Sequence, residues 1–428
     1  MNLKEYLSRN LWIFLIITAC SSCGCDKEAP SVDENSEHSL YFHIHSLTRA
    51  SGYSSNELIR SLRIMMFSEG VLERNEYVSF ENLDKSAEFF DYAFLWQTKP
   101  GHKDFYIFAN EESVPSITVP QGSLPEGLES IESLSDFLSY FQPSQSSSEE
   151  VSSVDKSLFL ELIDKVYFTP NYDNVDGTIY LPYSASYTGQ FGIDIDKAGT
   201  HTELKNPLYL VPVATKFQFN FINLTNQDID VTGLSLSNIN SQNFLLANVG
   251  NKDRVKNFGP VNDLAYEPSD ENKGLYWIYW LAKIAEESWN NPLYSDNFNF
   301  NEKYGWIYDY NLPDSNVTIF DFIPQNSSPW VVEPSVDDND PFIFSSDIYY
   351  LPESKNLVDN TQAYSIILRC SKGGENKNIE LSIGNLRSLF RDTCVKITFT
   401  ISDGDIEIYA EIADWIQKTA NGILREDR

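Results

Sequence analysis

The sequence predicts a mainly β protein built as two β-sandwich domains in tandem, on three observations. Short apolar runs rich in β-branched and aromatic residues recur along the chain, separated by turn residues. One of them, Lys216-Phe217-Gln218-Phe219-Asn220-Phe221, alternates strictly, as a strand does with one face on a core and the other in water. Helical periodicity is confined to a few segments, and an aromatic content of 14% is too high for a disordered chain.

The chain opens with Lys4 and Arg9, an apolar run over residues 11–17, and then Thr18, Ala19 and Cys20. A basic start, a short apolar stretch and small residues before a cut make residues 1–19 a secretory signal. The run is about half of the roughly 20 residues that span a bilayer. Ile17-Thr18-Ala19-Cys20 is similar to a bacterial lipobox, with Cys20 as the acylated first residue of the mature chain. Cys23 and Cys25 have poorer residues in front of them. Several acyl chains at ~0.8 kcal/mol per buried methylene would hold the protein on a membrane almost irreversibly. Plain secretion with Cys20 left as a thiol is the alternative. Residues 20–37 are polar and acidic, and form a tether between lipid and domain.

Strand-like runs follow at residues 40–44, 62–67, 105–109, 216–221, 364–368, 395–401 and 406–412. Several are apolar on both faces and suit a sandwich interior. A helix is expected over residues 128–141, where Leu128, Ile131, Leu134, Phe137, Leu138 and Phe141 approach a 3.6 period. Residues 275–289 could form a second helix and residues 386–390 a single turn, while residues 144–153 are a Ser/Glu-rich loop. Asn206-Pro207 begins a new stretch. The domains are therefore placed at 38–205 and 206–417, the second with an insertion at about 260–315, followed by a tail at 418–428.

A net charge of -31 argues against nucleic acid as a partner, because phosphate binding needs clustered Lys and Arg. Beyond the processed start the only cysteines are Cys370 and Cys394. A disulfide between them would add ~3 kcal/mol through loop closure; two buried thiols on strands are the equal alternative. Neither has a nearby histidine, which argues against a catalytic cysteine. His43 and His45 share one face of a strand, but no third metal ligand is fixed by spacing, so a surface or groove-lining pair is the better reading. Asp337-Asp338-Asn339-Asp340 lacks the spacing of a calcium loop and reads as a solvated acidic turn. Phosphate-cradling glycine loops, a nucleophile elbow and a His-Glu-x-x-His helix are absent, so neither cofactor, metal nor enzymatic activity is expected. Trp277, Trp280, Trp289 and Trp306, interleaved with tyrosines, could stack on sugar rings or anchor a protein partner. They could equally pack the insertion onto its own domain.

Seven short segments, in order, resemble the fimbrillin family, the type V pilins that build surface fimbriae of gut and oral Gram-negative anaerobes. Leu47-Thr48-Arg49-Ala50, followed by Ile59-Arg60-Ser61-Leu62-Arg63-Ile64-Met65-Met66-Phe67, is similar to the opening of the family's first domain. Asp104-Phe105-Tyr106-Ile107-Phe108-Ala109-Asn110-Glu111 resembles a family strand ending in Ala-Asn-Glu. Pro212-Val213-Ala214-Thr215-Lys216-Phe217 resembles the start of the second domain, although an arginine is commoner where Thr215 or Lys216 stands. Tyr350-Leu351-Pro352-Glu353, Arg391-Asp392-Thr393-Cys394 and the stretch ending in Trp415 complete the series, with Asp392 in place of an asparagine.

The resemblance implies two transthyretin-like Greek-key sandwiches and assembly by strand exchange. It implies that an arginine-specific protease cuts between Arg49 and Ala50, removing a first strand carried by Leu40, Phe42 and Ile44. The donor strand would be Ile406, Ile408, Ala410 and Ile412 on to Trp415, in another subunit. Arg60 and Arg63, in or beside a strand, are expected to be shielded from the protease. The implied partners are other fimbrial subunits, the outer membrane before processing, and a host protein or glycan. An accessory or tip role is favoured, because the aromatic insertion offers a binding surface. A surface glycan-binding lipoprotein beside a nutrient importer is the competing reading, and a surface hydrolase the third.

Overall fold

In the computed structural model the described residues are 38–46, 57–80, 90–119, 128, 131–143, 156–163, 166–170, 180–189, 192–196, 200–204, 207–246, 317–323, 327–335, 341–352, 354–355, 364–383, 388–389, 391 and 393–414. They form a mainly β protein of two β-sandwiches, as the alternating and apolar runs predict.

One sheet of the first sandwich holds β1 (His38–Ser46), β4 (Phe90–Thr98), β9 (His201–Glu203) and β10 (Leu208–Tyr209). The facing sheet holds β2 (Ser61–Ser68), β3 (Val71–Ser79), β5 (Gly101–Ala109), β7 (Tyr183–Tyr187), β8 (Ile193–Ile195) and β11 (Val211–Pro212), in the order β11-β7-β5-β2-β3, with β8 beside β5. Leu40, Phe42, Ile44, Phe94 and Trp96 of one sheet meet Leu62, Ile64, Met66, Phe105 and Ile107 of the other in a single core.

The second face of β2 and β5 is covered as well. Met65, Phe67, Tyr106 and Phe108 pack under α1 (Leu134–Tyr140) and α2 (Lys156–Ile163) through Phe137, Leu138, Phe159 and Ile163. This helical layer is why β2 is apolar on both faces rather than alternating, apart from one charged residue. Ser133 caps α1 by accepting a hydrogen bond from Asp136 N at 3.1 Å. The polar exception in β2 is Arg63, which forms a two-pronged pair with Glu111 at 2.6 and 2.8 Å and also donates to Asn75 and Ser139. Such a buried charge is tolerated because it is paired with a carboxylate and each of its three nitrogens finds a partner.

In the second sandwich, β12 (Thr215–Asn223) lies beside β17 (Ile343–Ser345) and β18 (Tyr349–Leu351) on one side and β23 (Thr393–Ile401) on the other, with β24 (Ile406–Asp414) at the edge. The facing sheet pairs β15 (Val317–Asp321) and β16 (Trp330–Val332) with β13 (Ile229–Asn240), then β20 (Ser365–Lys372) and β21 (Glu375–Ser382). Phe217, Phe219 and Phe221 enter the core between them, and Phe221 stacks on Phe399 with centroids 4.6 Å apart. Two short ladders, β6 (Tyr167–Phe168) with β14 (Asn243–Phe244) and β19 (Ser354–Lys355) with β22 (Ser388–Leu389), fasten connecting segments.

The helices depart from expectation. Only Leu134–Tyr140 of the 128–141 pattern is helical among the described residues, and the turn expected at 386–390 is instead the strand Ser388–Leu389, drawn into a ladder with Ser354–Lys355. The helix Lys156–Ile163 was not foreseen; it is short, and its apolar face is specified by the sheet it covers. The expected helix at 275–289 and the acidic turn at 337–340 lie outside the described residues.

Candidate functional site

β1 has an alternating sequence, and its burial alternates in step. Leu40, Phe42 and Ile44 are wholly buried. The Phe42 ring lies 5.3 Å from Phe94, 5.0 Å from Trp96 and 5.5 Å from Phe105. The strand pairs antiparallel with β4 over its whole length, from His38 opposite Thr98 to Ser46 opposite Phe90. On its other side it runs parallel to β9 and β10, with Leu40 opposite Thr202 and Ile44 opposite Leu208. β1 is therefore interior to its sheet. Its removal would leave a slot one strand wide, with unpaired backbone on both walls and the core residues that met Leu40, Phe42 and Ile44 uncovered as its floor.

The outward side chains of β1 are polar. His43 hydrogen-bonds Asp91 through Nδ1 and the Tyr41 hydroxyl through Nε2, both at 2.8 Å. His45 lies edge-on to Tyr209 with ring centroids 5.3 Å apart, and burial lowers its pKa, against Asp91, which raises it, and with His43, which lowers it further. Among the described residues no group of three or more side chains could hold a metal ion. The histidine pair thus sits in side-chain contacts on the outer face of the sheet.

β24 presents the complementary case. It pairs with β23 over its whole length and, among the described residues, has no neighbour on its other side. Ala410 is buried and Ile406 and Ile408 are half-buried against the core, whereas Tyr409 is 60% exposed. Ile412 belongs to the same strand.

Glu57 is the first described residue after β1, and here the two sandwiches meet. The Glu57 carboxylate is held by Lys216 of β12 at 2.6 Å and accepts from the Tyr350 hydroxyl of β18 at 2.7 Å. Its carbonyl accepts from the Tyr183 hydroxyl of β7 at 3.0 Å. Asn110, left-handed at φ 55°, donates to Leu58 O and Leu181 O and accepts from Arg60 N. Asparagine tolerates that backbone region better than most residues. Nearby, the buried Arg391 donates to Ser184 Oγ, Leu245 O and Phe244 O of the first sandwich's helical side.

Asn110, Lys216, Tyr350 and Arg391, from four separate sequence segments, thus converge on one junction. Glu57 itself could not be picked out, being one of 62 acidic residues. Cys370 and Cys394 are buried thiols on different sheets and do not form a disulfide. Arg63 is buried as expected, but Arg60 is exposed, its guanidinium 3.8 Å above the Tyr180 ring. Arg60 precedes β2, so its backbone is held by Asn110 while its side chain lies outside the core. Cys20, Arg49, Ala50, Trp277, Trp280, Trp289, Trp306 and Trp415 lie outside the described residues.

No protein-family model matches the chain, and no curated protein does. Among solved structures it is similar to a tip fimbrial protein of Porphyromonas gingivalis with a C-terminal truncation, at 13% identity and a TM-score of 0.40, over 89% of this chain and 100% of that one. A fimbrilin of the same organism gives 10% identity and a TM-score of 0.40, over 90% and 99% of the two chains. A fimbrial assembly protein of Parabacteroides distasonis gives 7% and 0.39, over 88% and 98%. The solved structures this chain is similar to thus include fimbrial proteins, the group its sequence motifs resemble.

Proposed function

We propose that the protein is a non-catalytic subunit of a cell-surface fimbrium, exported as a lipoprotein acylated at Cys20 and assembled by strand exchange. The observation that carries this reading is the interior position of β1. A cut between Arg49 and Ala50 severs β1 from the rest of the chain without breaking β2. The slot it leaves can take an extended strand from another subunit, whose main chain pairs with both walls while alternate side chains fill the floor. The period-two apolar series Ile406, Ile408, Ala410, Ile412 has the spacing of Leu40, Phe42, Ile44 and lies on an edge strand, where release disturbs one ladder rather than two. An accessory or tip position suits the aromatic segment around Trp277, Trp280, Trp289 and Trp306, with a host protein or glycan as its target.

The test is to incubate the mature protein with an arginine-specific protease and follow mass and assembly state. A cut after Arg49, loss of the β1 peptide and growth of oligomers are expected. A chain that stays monomeric with β1 in place would overturn the reading in favour of a surface glycan-binding lipoprotein.

A further inference from the structure

We infer that Glu57 is a positioning residue for strand exchange: it moors the chain directly behind the removable segment, so that the slot keeps its shape when β1 leaves. The inference rests on the strand-exchange reading above.

Four consecutive residues are fixed at this place. Glu57 is held by Lys216, Tyr350 and Tyr183, Ile59 is buried in the first core, and Leu58 and Arg60 are held through their backbones by Asn110. None of the holding groups comes from the sheet that contains β1. Tyr183 lies in β7 and Asn110 follows β5, both of the facing sheet, while Lys216 and Tyr350 belong to the second sandwich. The mooring therefore survives when β1 is withdrawn, and the pairing of β2 with β3 and β5 stays in register. That pairing carries Leu62, Ile64 and Met66, which face the vacated slot.

The pair is ionic although it is almost wholly buried, with the Glu57 and Lys216 side chains each 4% exposed. Apolar side chains of similar shape would hold two domains together at lower desolvation cost. What the carboxylate adds is one fixed position, set by two donors from two different strands. A preorganised slot binds an incoming strand without first paying to order itself.

The experiment compares wild type, Glu57→Gln and Tyr350→Phe, each before and after cutting with the arginine-specific protease. Thermal midpoints are measured, together with the affinity of the cut proteins for a synthetic peptide of residues 38–46. Tyr350→Phe removes one hydrogen bond and carries the test if Glu57→Gln fails to fold. The uncut Tyr350→Phe protein should melt within about 3 °C of wild type. The cut variant should fall at least twice as far, and its peptide affinity should drop about tenfold, a coupling of about 1.4 kcal/mol. Equal shifts before and after cutting, with unchanged peptide affinity, would make Glu57 ordinary domain adhesion and overturn the inference alone. Wild-type protein that does not release β1 would overturn strand exchange itself, and the inference with it.

Discussion

β1 and β24 are both nine-residue strands with apolar residues at every second position, yet the fold treats them oppositely. β1 has a neighbour on each side and its inward residues are wholly buried; β24 has one neighbour among the described residues and, at Ile406 and Ile408, only half-buried side chains. Sequence pattern alone does not separate the two, because alternation reports a strand with two unlike faces and is silent about its lateral neighbours. Under the proposed strand exchange, position within the sheet would decide which strand leaves a slot and which is lent out.

The sharpest way to break this comparison is to truncate one inward side chain in each strand. Phe42→Ala should cost about 3–5 kcal/mol, since three aromatic rings lose their partner. Ile408→Ala should cost about 1–2 kcal/mol, in keeping with its partial burial. Denaturant titration monitored by intrinsic fluorescence gives both numbers, and equal losses would erase the distinction between interior and edge. A smaller effect is expected from Tyr409→Lys. Its stability should stay within about 0.5 kcal/mol of wild type, while a charge on an edge strand should give a lower association constant than wild type in sedimentation.

The smallest effect is pH dependence confined to β1. Burial holds His45 below its ordinary value of 6.5. Between that value and the lowered one, the unfolded chain takes up a proton that the folded chain does not, so stability falls as pH falls. Amide exchange in β1 should therefore quicken relative to β24 below about pH 6.5. His45→Gln should flatten the trend, and an unchanged slope in that variant would assign the effect elsewhere.

Much of the fold was legible in residue order. The alternation at 216–221 placed Phe217, Phe219 and Phe221 in a core, and the motif at Tyr350 marked a residue that crosses to the other sandwich. Less could be read where a residue's role depends on distant chain. Residues 62–67 were expected to lie in a sandwich interior, but their second cover is helical, and its member Lys156–Ile163 is too short to announce itself. Lys216 interrupts the outward-polar rule of its own strand because Glu57 is there to meet it, and nothing near either residue in sequence says so.

The parallel pairing of β1 has a consequence in time. His38 bonds Thr202 across 164 residues, so the first strand to be synthesised cannot be seated on that side until the chain beyond position 200 has arrived. Closing so long a loop is slow compared with hairpin formation. Until then β1 can pair with β4 alone, and the edge that β9 and β10 will cover stays open. The sheet thus begins as the β1–β4 pair and is closed by chain that arrives much later. The nascent first sandwich therefore exposes a backbone edge of β1 that the finished fold conceals under β9 and β10.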